Sequence, residues 1–199
     1  MSTLSEQAIV REGLWPILDA RRAHDLEAVR GIANVLERAD LLAVGALADL
    51  VRSEEVGDLV RLYANVRPEP TADAIEVRRG TSDDGAGIRF LRAVAIARIT
   101  GPVAAIVRVD WAEIGLELAQ VALGFGASEL VGPIANKRGL AIADDAEKKV
   151  KGAGMVSVQA MRQEELAGLV RRSGRRVLVI GPRGVETEAP RAQEAVGVT

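Results

Sequence analysis

The sequence predicts an α/β fold in which a helical N-terminal segment precedes a small, largely parallel sheet. Apolar residues recur at helical spacing through residues 4–52. Beyond residue 57, short apolar runs alternate with helical patterns, as they do in a parallel sheet with helices outside it. We therefore divide the chain of 199 residues into a helical segment (1–56), an α/β domain (57–181) and a flexible tail (182–199).

The N-terminal segment is predicted to hold two or three helices before the sheet begins. Pro16 interrupts the periodicity, and since proline inside a helix removes a backbone donor, a new helix should begin near residues 14–16. Residues 40–52 give the strongest pattern of this segment, and that helix should end around Gly57. Its apolar stripe consists of Leu41, Val44, Leu47, Ala48 and Val51.

Five apolar runs predict strands, and three helical patterns lie among them. The predicted strands span residues 59–66, 74–77, 103–109, 130–131 and 176–180. The predicted helices span residues 88–99, 110–125 and 162–172. The middle helix has Asp110 at its N-cap and Glu113 three residues later, which is the spacing of a capping box. The charged segment 144–151 shows no regular pattern, and residues 156–158 are predicted to be extended.

Composition excludes several classes of function. With 26 Lys and Arg against 28 Asp and Glu, the chain has no long-range attraction to phosphate polymers or anionic lipid, so neither nucleic acid nor membrane is an expected partner. A polar beginning and the lack of any uncharged stretch of about 18 residues predict a cytoplasmic protein. The absence of cysteine excludes disulfides, thiolate nucleophiles and thiolate-bound clusters.

No local motif predicts catalysis, a metal site or a cofactor. His24 is the only histidine and has no nucleophile or acid at a recognisable spacing, so we expect it at the surface. Trp111 is the most informative residue, because it follows a predicted buried strand at the first turn of a helix. Ligands of α/β proteins collect at such carboxyl ends of strands. Packing and ligand binding are both open for this side chain.

Several stretches, in preserved order, resemble the radical SAM enzymes of the futalosine menaquinone pathway and of deazaflavin biosynthesis. These are aminofutalosine synthase, dehypoxanthine futalosine cyclase and the FO synthase subunits. The resemblance covers residues 35–66 and 88–180. It is carried by DLLAVGALADLVR with GDLV and YAN, by LRAVAIAR, by VDW with GLELAQVALGFGA, and by RQEEL through GRRV. It implies a truncated TIM-type barrel.

The resemblance also shows what this chain lacks. In the family, the strand that resembles residues 63–65 leads to a three-cysteine loop that holds a [4Fe–4S] cluster, whereas here it leads to Val66-Arg67-Pro68. Without thiolates the cluster has no anchor and no adenosyl radical forms, so radical SAM catalysis is excluded. The resemblance implies that Asn65, Arg108, Asp110 and Trp111 line a retained ligand pocket.

Loss of several strands from a closed barrel would expose two sheet edges. The edges could be covered by a re-formed open sheet, by a second copy in a homodimer, or by an intact radical SAM enzyme of the family. Our first hypothesis is a non-catalytic relative that binds such an enzyme or a small aromatic ligand of menaquinone or deazaflavin metabolism. The alternatives are a structural or oligomerisation module and a small α/β enzyme of unrelated class.

Overall fold

The N-terminal segment is helical, as predicted. The computed structural model describes residues 4–80, 84–136, 142–143, 145–151, 154–181 and 186–188. Its first helices are α1 (Leu4–Arg11), α2 (Trp15–Arg22), α3 (Leu26–Ile32) and α4 (Leu41–Val56), with a short 3-10 helix (Ala33–Glu37) before α4. Pro16 lies in the first turn of α2, where its missing N–H is not needed. Asp40 caps α4 by accepting from Leu42 N and Ala43 N, and Gly57 ends that helix.

The sheet is largely parallel, which confirms the predicted fold class. The strands are β1 (Leu59–Ala64), β2 (Ala74–Glu76), β3 (Ile106–Asp110), β4 (Glu129–Gly132), β5 (Glu147–Val150), β6 (Gly154–Ser157), β7 (Arg176–Ile180) and β8 (Glu186–Glu188). In the described residues the main sheet has the order β2-β3-β4-β1-β7-β8. Its first five strands are parallel, and β8 pairs antiparallel with β7.

The helices of the α/β part differ from prediction at two points. They are α5 (Ala86–Thr100), α6 (Trp111–Ile114), α7 (Leu116–Leu123) and α8 (Val158–Arg172). We expected one helix over residues 110–125, and this is wrong, because Gly115 has a φ of 83° and separates α6 from α7. Helix α8 begins at Val158, four residues before the predicted start. Asp110 caps α6 as predicted, by accepting from Ala112 N at 2.8 Å.

The structure describes strands in two segments where the sequence predicted none. The charged stretch that showed no pattern contributes β5, which forms a separate antiparallel hairpin with β6. Within the tail 182–199, which we expected to be flexible, the structure describes only β8, and these three residues form an edge strand. Residues 182–185 and 189–199 lie outside the described part.

One hydrophobic core joins the helical segment to the sheet. It includes Leu47 and Val51 of α4, Leu62 of β1, Val94 of α5 and Val109 of β3, all nearly inaccessible to solvent. The helical segment and the α/β domain therefore share one core. No described helix combines the length and the apolar character that crossing a membrane requires.

The strand order leaves the comparison with a barrel open. In a closed (β/α)8 barrel the first strand lies between the second and the last. Here β1 lies between β4 and β7, and β2 lies at the far edge of the described sheet. The sheet is therefore open, and the truncated barrel stays a prediction.

A buried ion pair fixes α2 against α4 and the loop before β3. The Arg21 guanidinium donates to both carboxylate oxygens of Glu55, at 2.6 and 2.8 Å, and to the carbonyls of Gly101 and Pro102. Glu55 also accepts from Ala104 N at 2.8 Å. Both side chains are almost fully buried, so removing either one would leave the charge of the other buried without a counter-ion.

Replacing Arg21 should destabilise the fold far more than replacing its neighbour. Arg21→Met leaves the Glu55 carboxylate buried without its cation, which should lower the free energy of unfolding by about 3–5 kcal/mol. Arg22→Met removes the same charge from the same helix, but the Arg22–Glu54 pair is 40% and 37% exposed, so its loss should stay below about 1 kcal/mol. Urea denaturation of the two variants measures the difference, and equal losses would refute the assignment.

Candidate functional site

The carboxyl ends of β1, β2, β3 and β4 meet at one edge of the sheet, because these strands are parallel. Asn65 follows β1, Asp110 ends β3, and Trp111 opens α6 directly after it. The segment 132–134 leaves β4 beside them. This is the edge at which open α/β sheets bind their ligands, and three of the four predicted site residues lie there.

Four charged side chains form a chain of ion pairs at this edge, which we call the carboxyl-edge cluster (Arg67, Glu76, Arg78 and Asp110). Arg67 Nη2 donates to Asp110 Oδ2 at 2.6 Å, and Arg67 Nη1 lies 3.4 Å from Glu76 Oε1. Arg78 Nε donates to the same Glu76 oxygen at 3.1 Å. The side chain of Arg67 is 49% exposed and that of Asp110 only 14%. A half-exposed guanidinium is thus held at the centre of the edge.

Asp110 has both carboxylate oxygens occupied. Oδ1 caps α6 through Ala112 N, and Oδ2 accepts from Arg67. The carboxylate therefore orients the Arg67 guanidinium while its own position is fixed by the helix. A predicted site residue and an unpredicted one are brought together here, although 43 positions separate them in the sequence. The sequence signal for Arg67 was its place two residues after Asn65, at the end of a strand.

Arg108 does not belong to the cluster. Its side chain is 5% exposed, and it pairs with Glu129 through Nε and Nη2, each 2.9 Å from Glu129 Oε2. The two residues lie opposite each other in the register of β3 and β4. This buried cross-strand pair joins the two strands, and it leaves the Arg108 guanidinium committed to a protein carboxylate.

Asn65 and Trp111 hold the segment that leaves β4. Asn65 has a φ of 59°, a left-handed conformation that asparagine tolerates better than most residues. Its Oδ1 accepts from Ile134 N at 2.6 Å, and its own N–H donates to the carbonyl of Gly132. Trp111 Nε1 donates to the carbonyl of Pro133 at 3.0 Å. Both predicted site residues therefore position the backbone of 132–134.

The Trp111 ring is covered, and little space lies beside it. The residue is 6% exposed, and a Cβ built on Gly132 would come within 2.4 Å of its indole ring. The neighbouring apolar cavity between α7, α8 and the sheet has a volume of about 10 Å³, which admits about one water molecule. In this conformation Trp111 packs against the sheet and offers no face for stacking a ligand.

The described residues contain no group of three or more histidine, aspartate or glutamate side chains arranged to hold a metal ion. His24 is exposed, as expected.

The chain matches no model of a known protein family, and a search of curated proteins finds no significant match. The chemistry of the carboxyl edge, an oriented and half-exposed guanidinium among paired carboxylates, suits the binding of an anionic group.

Replacing Gly132 with a larger residue should displace the Trp111 ring and lower the free energy of unfolding. Gly132→Ala forces the new methyl group against the indole ring, and overpacking of this kind costs about 1–3 kcal/mol. Gly31→Ala is the matched control, because a Cβ there meets no atom within 4 Å, and in a helix it should be neutral or slightly stabilising.

Tryptophan emission in a Trp15→Phe background reports on Trp111 alone, since the chain has two tryptophans. We expect a red shift in Gly132→Ala as the ring gains solvent. Unchanged emission together with unchanged stability would contradict the close packing.

Proposed function

We propose that this chain is a non-catalytic relative of the radical SAM enzymes of menaquinone and deazaflavin biosynthesis, and that it acts by binding. The ligand is a small anionic molecule of the aromatic class that those enzymes handle, and the Arg67 guanidinium of the carboxyl-edge cluster receives its anionic group. The observation that carries the proposal is the Arg67 guanidinium, which Asp110 orients at the carboxyl ends of parallel strands while half of its surface remains exposed.

The preserved order of the resembling segments along the chain supports the relationship to the family. The absence of cysteine supports a role without radical chemistry. Both carboxylates of the cluster are ion-paired, which favours holding a ligand over transferring a proton. Because Trp111 is covered, polar contacts at Arg67 rather than stacking on the indole provide the binding energy.

Replacing Arg67 should weaken the binding of an aromatic carboxylate. Benzoate serves as the probe, and Arg67→Gln should raise its Kd by about tenfold or more, since a hydrogen bond to a charged group contributes roughly 1.5–3 kcal/mol. Arg78→Gln is the matched control, because Arg78 belongs to the same cluster, is 66% exposed and contacts Glu76 rather than Asp110. Isothermal titration calorimetry measures both variants. Equal effects, or no saturable binding of benzoate to the unmodified chain, would count against the proposal.

A second candidate function is docking onto an intact enzyme of the family, and strand β2 favours it. Among the described residues, β2 pairs only with β3, so its outer side presents backbone N–H and C=O groups without strand partners. Such an edge accepts a strand from another chain.

Native mass spectrometry of the protein, purified gently from its own source, tests this second function. A complex that contains an intact radical SAM enzyme is the expected result. A bare homodimer would instead favour a self-completed structural module, and a bare monomer would favour ligand binding alone.

A further inference from the structure

A cleft lies at the opposite, amino-terminal edge of the sheet. Its volume is about 440 Å³, within the range of small-molecule sites. The walls come from α1, α4, the turn after α7 and the residue before β7. Leu42, Ala46, Leu50 and Phe125 form its apolar part, and Asp49, Arg52 and Arg175 form its charged part. The cleft thus has an apolar wall and a polar end.

Two guanidinium groups at the polar end have donors without partners. Arg52 is almost fully buried, donates from Nε to Asp49 Oδ1 at 2.9 Å, and donates from Nη1 to the carbonyl of Gly57. Its Nη2 is buried and makes no hydrogen bond in the described structure. Arg175 donates from Nη2 to Asp49, and its Nε is likewise buried without an acceptor. Buried donors without acceptors carry a free energy cost that an added acceptor relieves.

The two carboxylates at this end do not occupy all the hydrogen-bond donors of Arg52 and Arg175. Asp49 is shared between the two arginines through a single oxygen, Oδ1. Asp58 is the other nearby acid, but its Oδ1 lies 3.7 Å from Arg52 Nη2 and 3.6 Å from Arg175 Nη1, and its side chain is 55% exposed. A long, solvated ion pair of this kind contributes little. A ligand oxygen in direct hydrogen-bond contact would therefore compete well with Asp58.

We propose that this cleft is a binding site for a small carboxylate with a short apolar body. The carboxylate accepts from Arg175, whose side chain is 13% exposed, and the apolar body packs against Leu50, Ala46 and Phe125. Arginine suits this role because its planar fork can donate to both oxygens of a carboxylate. The site is separate from the carboxyl-edge cluster, since it lies before β1, β4 and β7 rather than after them.

Titration of the full chain with hexanoate, followed by amide chemical shifts in two-dimensional NMR, tests the proposal. Hexanoate should bind saturably and shift the amides of Ala46, Ser53 and Gly124, which line the cleft. Hexanol has the same apolar chain without the charge and should bind at least about tenfold more weakly.

Two variants test the cleft by removing its cation and by blocking its wall. A third variant, at the carboxyl edge, shows which of the two sites binds hexanoate. Arg175→Gln should raise the Kd of hexanoate by about tenfold. Ser53→Trp changes an exposed helix position on the cleft wall and should block binding while leaving the fold intact. Arg67→Gln, at the carboxyl edge, should leave the hexanoate-induced shifts of the cleft amides unchanged, whatever it does to carboxylate binding at the carboxyl edge.

The proposal would be overturned by equal affinity for hexanoate and hexanol, by unchanged binding in both Arg175→Gln and Ser53→Trp, or by no saturable binding of hexanoate. Loss of hexanoate binding in Arg67→Gln with retention in Arg175→Gln would place the carboxylate at the other edge, and would also overturn it. Failure of benzoate to respond to Arg67→Gln bears only on the carboxyl-edge proposal.

Discussion

The buried guanidinium of Arg98 is the constraint that sets helix α5 against the amino-terminal edge of the sheet. The residue is inaccessible to solvent and donates to the carbonyl of Gly126 at 2.9 Å, to Ser128 Oγ at 3.0 Å and to the carbonyl of Ala105. Burial lowers the pKa of Arg98 to about 10, so the group is still a cation at neutral pH. A buried cation carries a large free energy cost unless its donors find acceptors. The approach to β3 and the turn before β4 are therefore held where those acceptors lie.

Buried arginines occur elsewhere in the described part of the chain, at Arg21, Arg52 and Arg108. Arg21 joins α2 to α4 and to the loop before β3 through Glu55 and two carbonyls. Arg108 joins β3 to β4 through Glu129. Arginine keeps its charge and offers several donors in one plane, so a single side chain can join several backbone segments. The arginines of the described residues therefore include buried ones that join parts of the fold and exposed ones such as Arg67.

The sequence predicted elements whose signal is local. Pro16, Asp40 and Gly57 mark helix ends through the chemistry of one or two residues, and the structure places the ends there. The break at Gly115 escaped prediction, because the apolar stripe continues across it and only a positive φ reveals it.

The candidate site was predictable in part, for the same physical reason. The capping role of Asp110 could be predicted, because the N–H it accepts from is only two residues away. Its contact with Arg67 could not, because that contact depends on how β1 and β3 are arranged in the sheet. The pairing of Arg108 with Glu129 likewise follows from strand register, which a single sequence does not contain. The Trp111 ring packs closely over Gly132 and faces inward. This contact is also long-range, so the sequence alone did not reveal it. With the indole facing inward, the carboxyl edge offers charged groups rather than an aromatic face, and under the proposed function an aromatic ligand would therefore need an anionic group to be held there.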